Sequence, residues 1–374
     1  MEECKSSLRV ILCFTYFLLP PITSSSASYP TLSLSLPAIL YCCLNSKPSP
    51  PVNYIHHRML SLASQAHQNT TAAAQPTTSQ AHPQDDILSG IPSTAPTWPW
   101  SNFRTLTSCV EEVHRSLLQA GEVGNQYVIV LNISKYAVSK LLDEYDTLSP
   151  IQCRFMHVGT VGVIKVIPSG AHDVTVGNFA SEIEWQLRGM GVSRVAFQFG
   201  RTTTHPAVTS DKSKQPDDCI FPGPRKMVNG QIVAWPTFVV EAGVSESLPR
   251  LREDASWWFA NSAGMVRIVL LLAIRKRTKT IVIERWQLAP PGTPGLNSTI
   301  ISNLRQQSTL PPQALQSVVT QQPFAMQELT VTPTSTSGSP LVIPLMGIMD
   351  RAPMPGEGDI VFTGQQLMEC CAHL

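Results

Sequence analysis

The chain has 374 residues, 43% of them hydrophobic, and 27 Lys and Arg against 26 Asp and Glu give a net charge of +1. That whole-chain balance is uninformative about partners, and 31 unevenly spread prolines argue against two domains of ordinary size. Nine scattered cysteines, an odd number with no Cys-x-x-Cys pair, argue against a disulfide framework and against structural zinc.

From the N-terminus, Lys5 and Arg9 precede the apolar run 10–19, then Pro20-Pro21 and the small residues Ser25 and Ala27, in the outline of a signal peptide. Glu2, Glu3 and a second apolar stretch at 32–44 oppose that outline, and Met59 offers an alternative start. The run is short for a membrane span. The expectation is an intracellular protein of cytoplasm or nucleus with no stable membrane span, secretion being the alternative if the leader is genuine. Residues 60–100 and 288–345 are biased toward Ser, Thr, Ala, Gln and Pro and predict disorder. The chain thus divides into a leader and linker (1–100), a folded domain (101–287) and a Pro/Ser/Thr-rich, mostly disordered tail (288–374).

Within the domain, Val110, Val113, Leu117 and Leu118 predict a helix over 107–120 opened by a Ser108/Glu111 capping box. A strand at 127–131 and a helix at 135–145 follow. Two strands, 153–158 and 161–167, are joined through Gly159-Thr160 as a hairpin. A helix at 178–190 carries Glu182 and Glu184; His172 falls in the loop before it. The alternating run 194–199 predicts a strand, and the apolar run 237–240, ending at Glu241, a central strand buried on both faces. A helix at 248–261 and strands at 266–274 and 280–286 around the basic turn 275–279 complete the order. Residues 172–287 carry fifteen Lys and Arg against eleven Asp and Glu, a mildly basic balance that tolerates a polyanion without demanding one.

The chemistry concentrates at Lys214-Gln-Pro-Asp217 and, twenty-four residues beyond that aspartate, at Glu241 in Trp235-Pro-Thr-Phe-Val-Val-Glu-Ala-Gly243. Two carboxylates on adjacent strands form a hard-oxygen site of the kind magnesium takes, with water completing its shell. The blander readings are a turn aspartate, a strand-end glutamate in solvent, solvated Glu182 and Glu184, a charged helix face at Arg250, Arg252, Glu253 and Asp254, and core packing for Trp257-Trp258.

The run 214–258 resembles uncharacterised fungal proteins with a PD-(D/E)XK, restriction-endonuclease-like domain; the similarity spans about 153–287, and the segment 356–362 is similar to their tail. The resemblance implies an α/β (α+β) restriction-endonuclease-like core, a mixed central sheet flanked by helices. It implies that Asp217 and Glu241 hold Mg2+ or Mn2+, with Glu184 as a third metal-binding acid, in phosphodiester hydrolysis of DNA or RNA. No small-molecule cofactor is implied. The family's Glu-x-Lys reads Glu241-Ala-Gly243 here, which leaves Lys214, Arg250 and Arg252 to supply the missing positive charge. The alternative is a binding module that keeps the fold without cleavage.

Overall fold

The computed structural model describes residues 87–374 apart from 145–146, 169, 226–233, 245, 308–309 and 311–319. The leader-like segment, Met59 and most of the linker lie outside the described residues. The first half runs β1 (Thr97–Pro99), α1 (Phe103–Gln119), β2 (Tyr127–Leu131), α2 (Lys135–Asp143), β3 (Cys153–Val158), β4 (Val161–Val166), α3 (Gly170–Gly189) and β5 (Phe197–Phe199). It continues with β6 (His205–Pro206), β7 (Lys212–Lys214), β8 (Asp218–Pro222), β9 (Phe238–Val244), α4 (Leu248–Asn261), β10 (Ile268–Arg275) and β11 (Thr280–Leu288). The last part adds α5 (Ser298–Gln307), β12 (Pro323–Thr332), β13 (Ser335–Ser337), β14 (Leu341–Ile343), α6 (Leu345–Met349), β15 (Ile360–Phe362) and α7 (Gly364–Cys371).

The architecture is α/β, with mixed sheets flanked by helices. A six-stranded sheet has the order β1-β2-β4-β3-β7-β6, and a seven-stranded sheet the order β13-β12-β11-β10-β9-β8-β5. The second sheet is antiparallel except where β9 and β10 run parallel, and α4 supplies the crossover between them. Helix α4 packs its Leu251, Ala255 and Trp258 on one face of this sheet. On the other face, α3 buries Phe179, Ile183 and Leu187.

The hairpin of β3 and β4 forms as its pattern predicts, with Gly159 in the turn at φ 55°, a conformation glycine adopts without penalty. Its two faces differ. Phe155, Ile164 and Val166 pack under α1 and α2, whereas Tyr127, Lys165 and Arg154 stand in cross-strand register on the opposite face.

Several expectations are corrected. Helix α1 begins four residues early, capped by the Asn102 side chain accepting from the Thr105 backbone N–H; Ser108 is an exposed mid-helix residue. Helix α3 begins at Gly170, so His172 lies on a helix; Gly and β-branched residues in 170–177 hid it, and burial of His172, Thr175 and Val176 overrides that propensity. The run 194–199 is half 3-10 turn and half strand, with Val195 exposed. Strand β9 does not stop at Glu241 but runs on to Val244, because β10 pairs with it to that residue, whereas β8 pairs only as far as Val240.

The largest departure concerns residues 288–374, expected to be mostly disordered. Strand β12 pairs with β11 from Pro323↔Leu288 to Val331↔Ile281, and Leu341, Ile343, Phe362, Leu367 and Cys371 are buried in the same cluster as α3. Among the described residues, Pro290, Pro291, Pro294, Pro333 and Pro340 lie in connections, while the apolar residues between them cover the sheet face that α3 leaves open.

Candidate active site

The Tyr127–Lys165–Arg154 row places two cations opposite each other on neighbouring strands, which is repulsive unless an anion lies between them. Asp217, immediately before β8, is that anion. Arg154 Nε lies 3.0 Å from Asp217 Oδ1, Lys165 Nζ 3.5 Å from Oδ2, and His172 Nε2 3.2 Å from Oδ1. The Ala242 backbone N–H donates to Oδ2 at 2.8 Å, which ties the aspartate to β9. The Arg154 and His172 contacts are ionic proximity rather than aligned hydrogen bonds, leaving Oδ1 without an aligned donor. Burial alone would raise the Asp217 pKa, but Lys165, His172 and Arg154 outweigh it and hold the group well below its ordinary value.

Lys165 is the residue that sequence reasoning missed. Its Nζ donates to the Ala242 carbonyl at 2.7 Å and lies 3.0 Å from Glu246 Oε2. Burial favours its neutral form, yet Asp217, Glu246 and Glu241 together hold its pKa above the ordinary lysine value. The ammonium therefore sits beside the Glu241-Ala-Gly243 segment although its backbone belongs to β4. Gly243 cannot carry a side chain here, because an added Cβ would lie 2.4 Å from both Glu246 Cβ and Oε2. The one sequence signal was a lysine inside an otherwise apolar strand, Val161-Gly-Val-Ile-Lys-Val, whose burial is favourable only with partners.

Glu241 occupies a different setting. Its Oε1 accepts from Trp258 Nε1 at 2.6 Å and lies 3.0 Å from Lys214 Nζ. Lys214 also pairs with Asp254, as does Arg250 at 3.1 Å, and its ammonium lies over the rings of Trp257 and Trp258. Burial pushes the Glu241 pKa up to about 7; Lys214 opposes the rise, while Asp254 and Asp217 add to it.

The structure thus brings Asp217, Glu241 and Lys214 into one buried charge network. It does not bring Arg252 or Glu184 there. Arg252 is clamped to Glu284 on the other side of α4, with Nε 3.0 Å from Oε2. Glu184 lies further along α3, in a second cleft with Arg194, Phe199 and Arg201. Arg250 is turned inward to the carbonyls of Ile87 and Ser89, and Arg250 and Asp254 are buried rather than forming a solvated helix face. Among the described residues, no group of three or more His, Cys, Asp or Glu is arranged to hold a metal ion.

A cleft of about 370 Å³ opens onto Asp217, lined also by Gln152, Arg154, His172, Arg201 and Gln215. Asp217 and the Asp173 side chain outweigh burial and keep the His172 pKa above the ordinary histidine value, and Arg154 and Arg201 line the cleft with these two carboxylates.

No family model and no curated protein matches the chain. Among solved structures, a DUF820 protein from Anabaena variabilis ATCC 29413, provisionally described as a nuclease, overlaps 40% of this chain and 84% of its own. The two share 14% identity with a TM-score of 0.28, too slight to bear on fold or chemistry. No helix among the described residues is long and apolar enough to cross a membrane.

Proposed function

We propose that the chain is a metal-dependent phosphodiesterase acting on nucleic acid, in which Lys165 takes the place of the lysine missing at Gly243. The observation that carries this reading is the Lys165 ammonium, 2.7 Å from the Ala242 carbonyl and 3.5 Å from Asp217 Oδ2. It supplies a positive charge beside the Asp217/Glu241 pair from a neighbouring sheet.

Magnesium or manganese fits the donor set in part. Asp217 borders the cleft and its buried Oδ1 has no aligned donor, and two carboxylates suffice for an ion that keeps most of its waters. Burial first, and then repulsion from Asp254 and Asp217, raise the Glu241 pKa, and a bound dication would offset that repulsion. Asp217 and Glu241 would hold the metal, whose chemistry is to polarise a phosphoryl oxygen and acidify a water. The chain's own groups do the rest: Arg154 and Arg201 grip phosphate at the cleft mouth, and Lys165 meets developing charge on the phosphoryl oxygens. His172, whose raised pKa favours the protonated form, can give a proton to a leaving oxygen.

A second reading, a binding module without cleavage, is favoured by one observation. Asp217, Glu241, Glu246 and Asp254 each already have an internal cation partner, so charge balance does not require a metal. The full chain incubated with labelled DNA and RNA, with and without Mg2+ or Mn2+, separates the two. Metal-dependent cleavage should fall at least about 100-fold in Asp217→Asn and in Lys165→Met, with folding checked by thermal melting. Equal rates in folded variants and wild type overturn the hydrolase reading; binding in EDTA without any cleavage supports the module.

A further inference from the structure

The Asp217 cleft does not end at Arg201. A second cleft of about 500 Å³ is lined by Glu184, Arg194, Val195, Phe197, Gln198, Phe199 and Arg201 again, so one arginine forms a wall of both. On α3, Asp173 and Gly177 line the first cleft and Glu184 the second. Their spacing of four and seven residues puts them on one helical stripe. The two clefts are thus consecutive stretches of one groove along α3.

Arg201 is fixed at the junction. Its backbone adopts φ 52°, uncommon for a residue with a side chain, and its N–H donates to Asp218 Oδ1 at 3.0 Å. Its guanidinium bonds Asp218 Oδ2 at 2.8 Å and lies 5.3 Å from the centre of the Phe199 ring, yet 63% of the side chain remains exposed. Asp218 therefore holds the arginine in place without covering it. Beyond it, Arg194 is exposed, and β5, which carries Phe197 and Phe199, is the edge strand of the seven-stranded sheet.

We propose that this groove binds single-stranded polynucleotide. One backbone phosphate lies between Arg154 and Arg201 above Asp217, the adjacent base stacks at the Phe199–Arg201 pair, and the next phosphate meets Arg194. The inference rests on the phosphodiesterase reading of the first cleft. Alternating cations and an aromatic face are the requirements for tracking a single strand, whose bases are free to stack on protein. Each cleft has the volume of a small-ligand site. Paired bases within a duplex do not present their faces to Phe199. Asp173 and Glu184 make the helix wall acidic, so the phosphates follow the opposite wall of Arg154, Arg201 and Arg194.

Fluorescence anisotropy of the full chain with labelled single-stranded DNA, single-stranded RNA and duplex DNA of equal length, in EDTA, tests this apart from cleavage. A single strand of at least one type should bind about tenfold more tightly than duplex. Arg194→Gln, an exposed change, should lower the slope of log affinity against log salt by about 0.7, the loss of one phosphate contact. Phe199→Ala should weaken single-strand binding about tenfold with the slope unchanged. Duplex bound as tightly as either strand, variants that bind like wild type, or no oligonucleotide bound by folded protein overturns the proposal. If these variants are silent while Asp217→Asn abolishes cleavage, the groove falls and the phosphodiesterase stands. If binding responds but no cleavage occurs, the reverse holds.

Discussion

Asp217, immediately before β8, and Glu241, on the neighbouring β9, sit side by side in one sheet, yet their surroundings differ in kind. Asp217 borders a cleft, though its side chain is fully buried, and has an oxygen with no aligned donor, whereas Glu241 is sealed beneath Trp258 and shares Lys214 with Asp254. The first environment holds a carboxylate ionised by surrounding it with cations; the second leaves one poised near neutrality. A motif that reads as two equivalent carboxylates is thus one buried acid ringed by cations beside a cleft and one buried acid sealed under a tryptophan.

The largest way to break this contrast is Lys214→Met, which leaves Glu241 without its ion-pair partner and Asp254 with Arg250 alone. Removing one member of a buried network costs about 3–5 kcal/mol, so urea denaturation should show a loss of that order. A loss below about 1 kcal/mol would mean that the sealed end is not held by charge pairing.

A pH series sharpens the same contrast, because the two acids act with opposite sign. Glu241's folded pKa lies above its unfolded value, so its contribution to stability is complete at acid pH and is lost as pH rises through about 7. Asp217's lies below, so its contribution is present above the ordinary carboxylate range and lost as pH falls. Glu241→Gln should flatten the alkaline decline between pH 5 and pH 8.5, worth on the order of 2 kcal/mol in wild type. Asp217→Asn should flatten the acid side instead. Parallel stability curves for the two variants would show that the environments are alike.

The smallest effect belongs to Arg252→Ala. Its side chain is 42% exposed, and Trp286 Nε1 still donates to the buried Glu284 at 2.8 Å, so the cost should be at most about 1 kcal/mol. Denaturation of this variant calibrates what an ion pair outside the network contributes; a loss equal to that of Lys214→Met would erase the distinction between network and surface.

Much of the fold was legible. The hairpin 153–166, helix 248–261 and the apolar strand before Glu241 carry strong local periodicity, and their neighbours in space are also near in sequence. The start of α3 and the order within residues 288–374 were not legible, because burial against distant strands holds segments whose own propensities are weak.

The same division applies to the site. The sequence by itself placed Asp217 near a strand start and Glu241 at the end of an apolar strand, and showed that Gly243 lacks the expected lysine. Only the tertiary structure decided that Lys165 brings an ammonium beside Ala242 and Asp217, that Lys214 belongs to the sealed acid, and that Arg252 and Glu184 lie apart. Strand spacing is a local property of the backbone, but ion pairing follows distance in space. Lys165 and Asp217 are 52 residues apart in the chain, and no short-range pattern records that they meet.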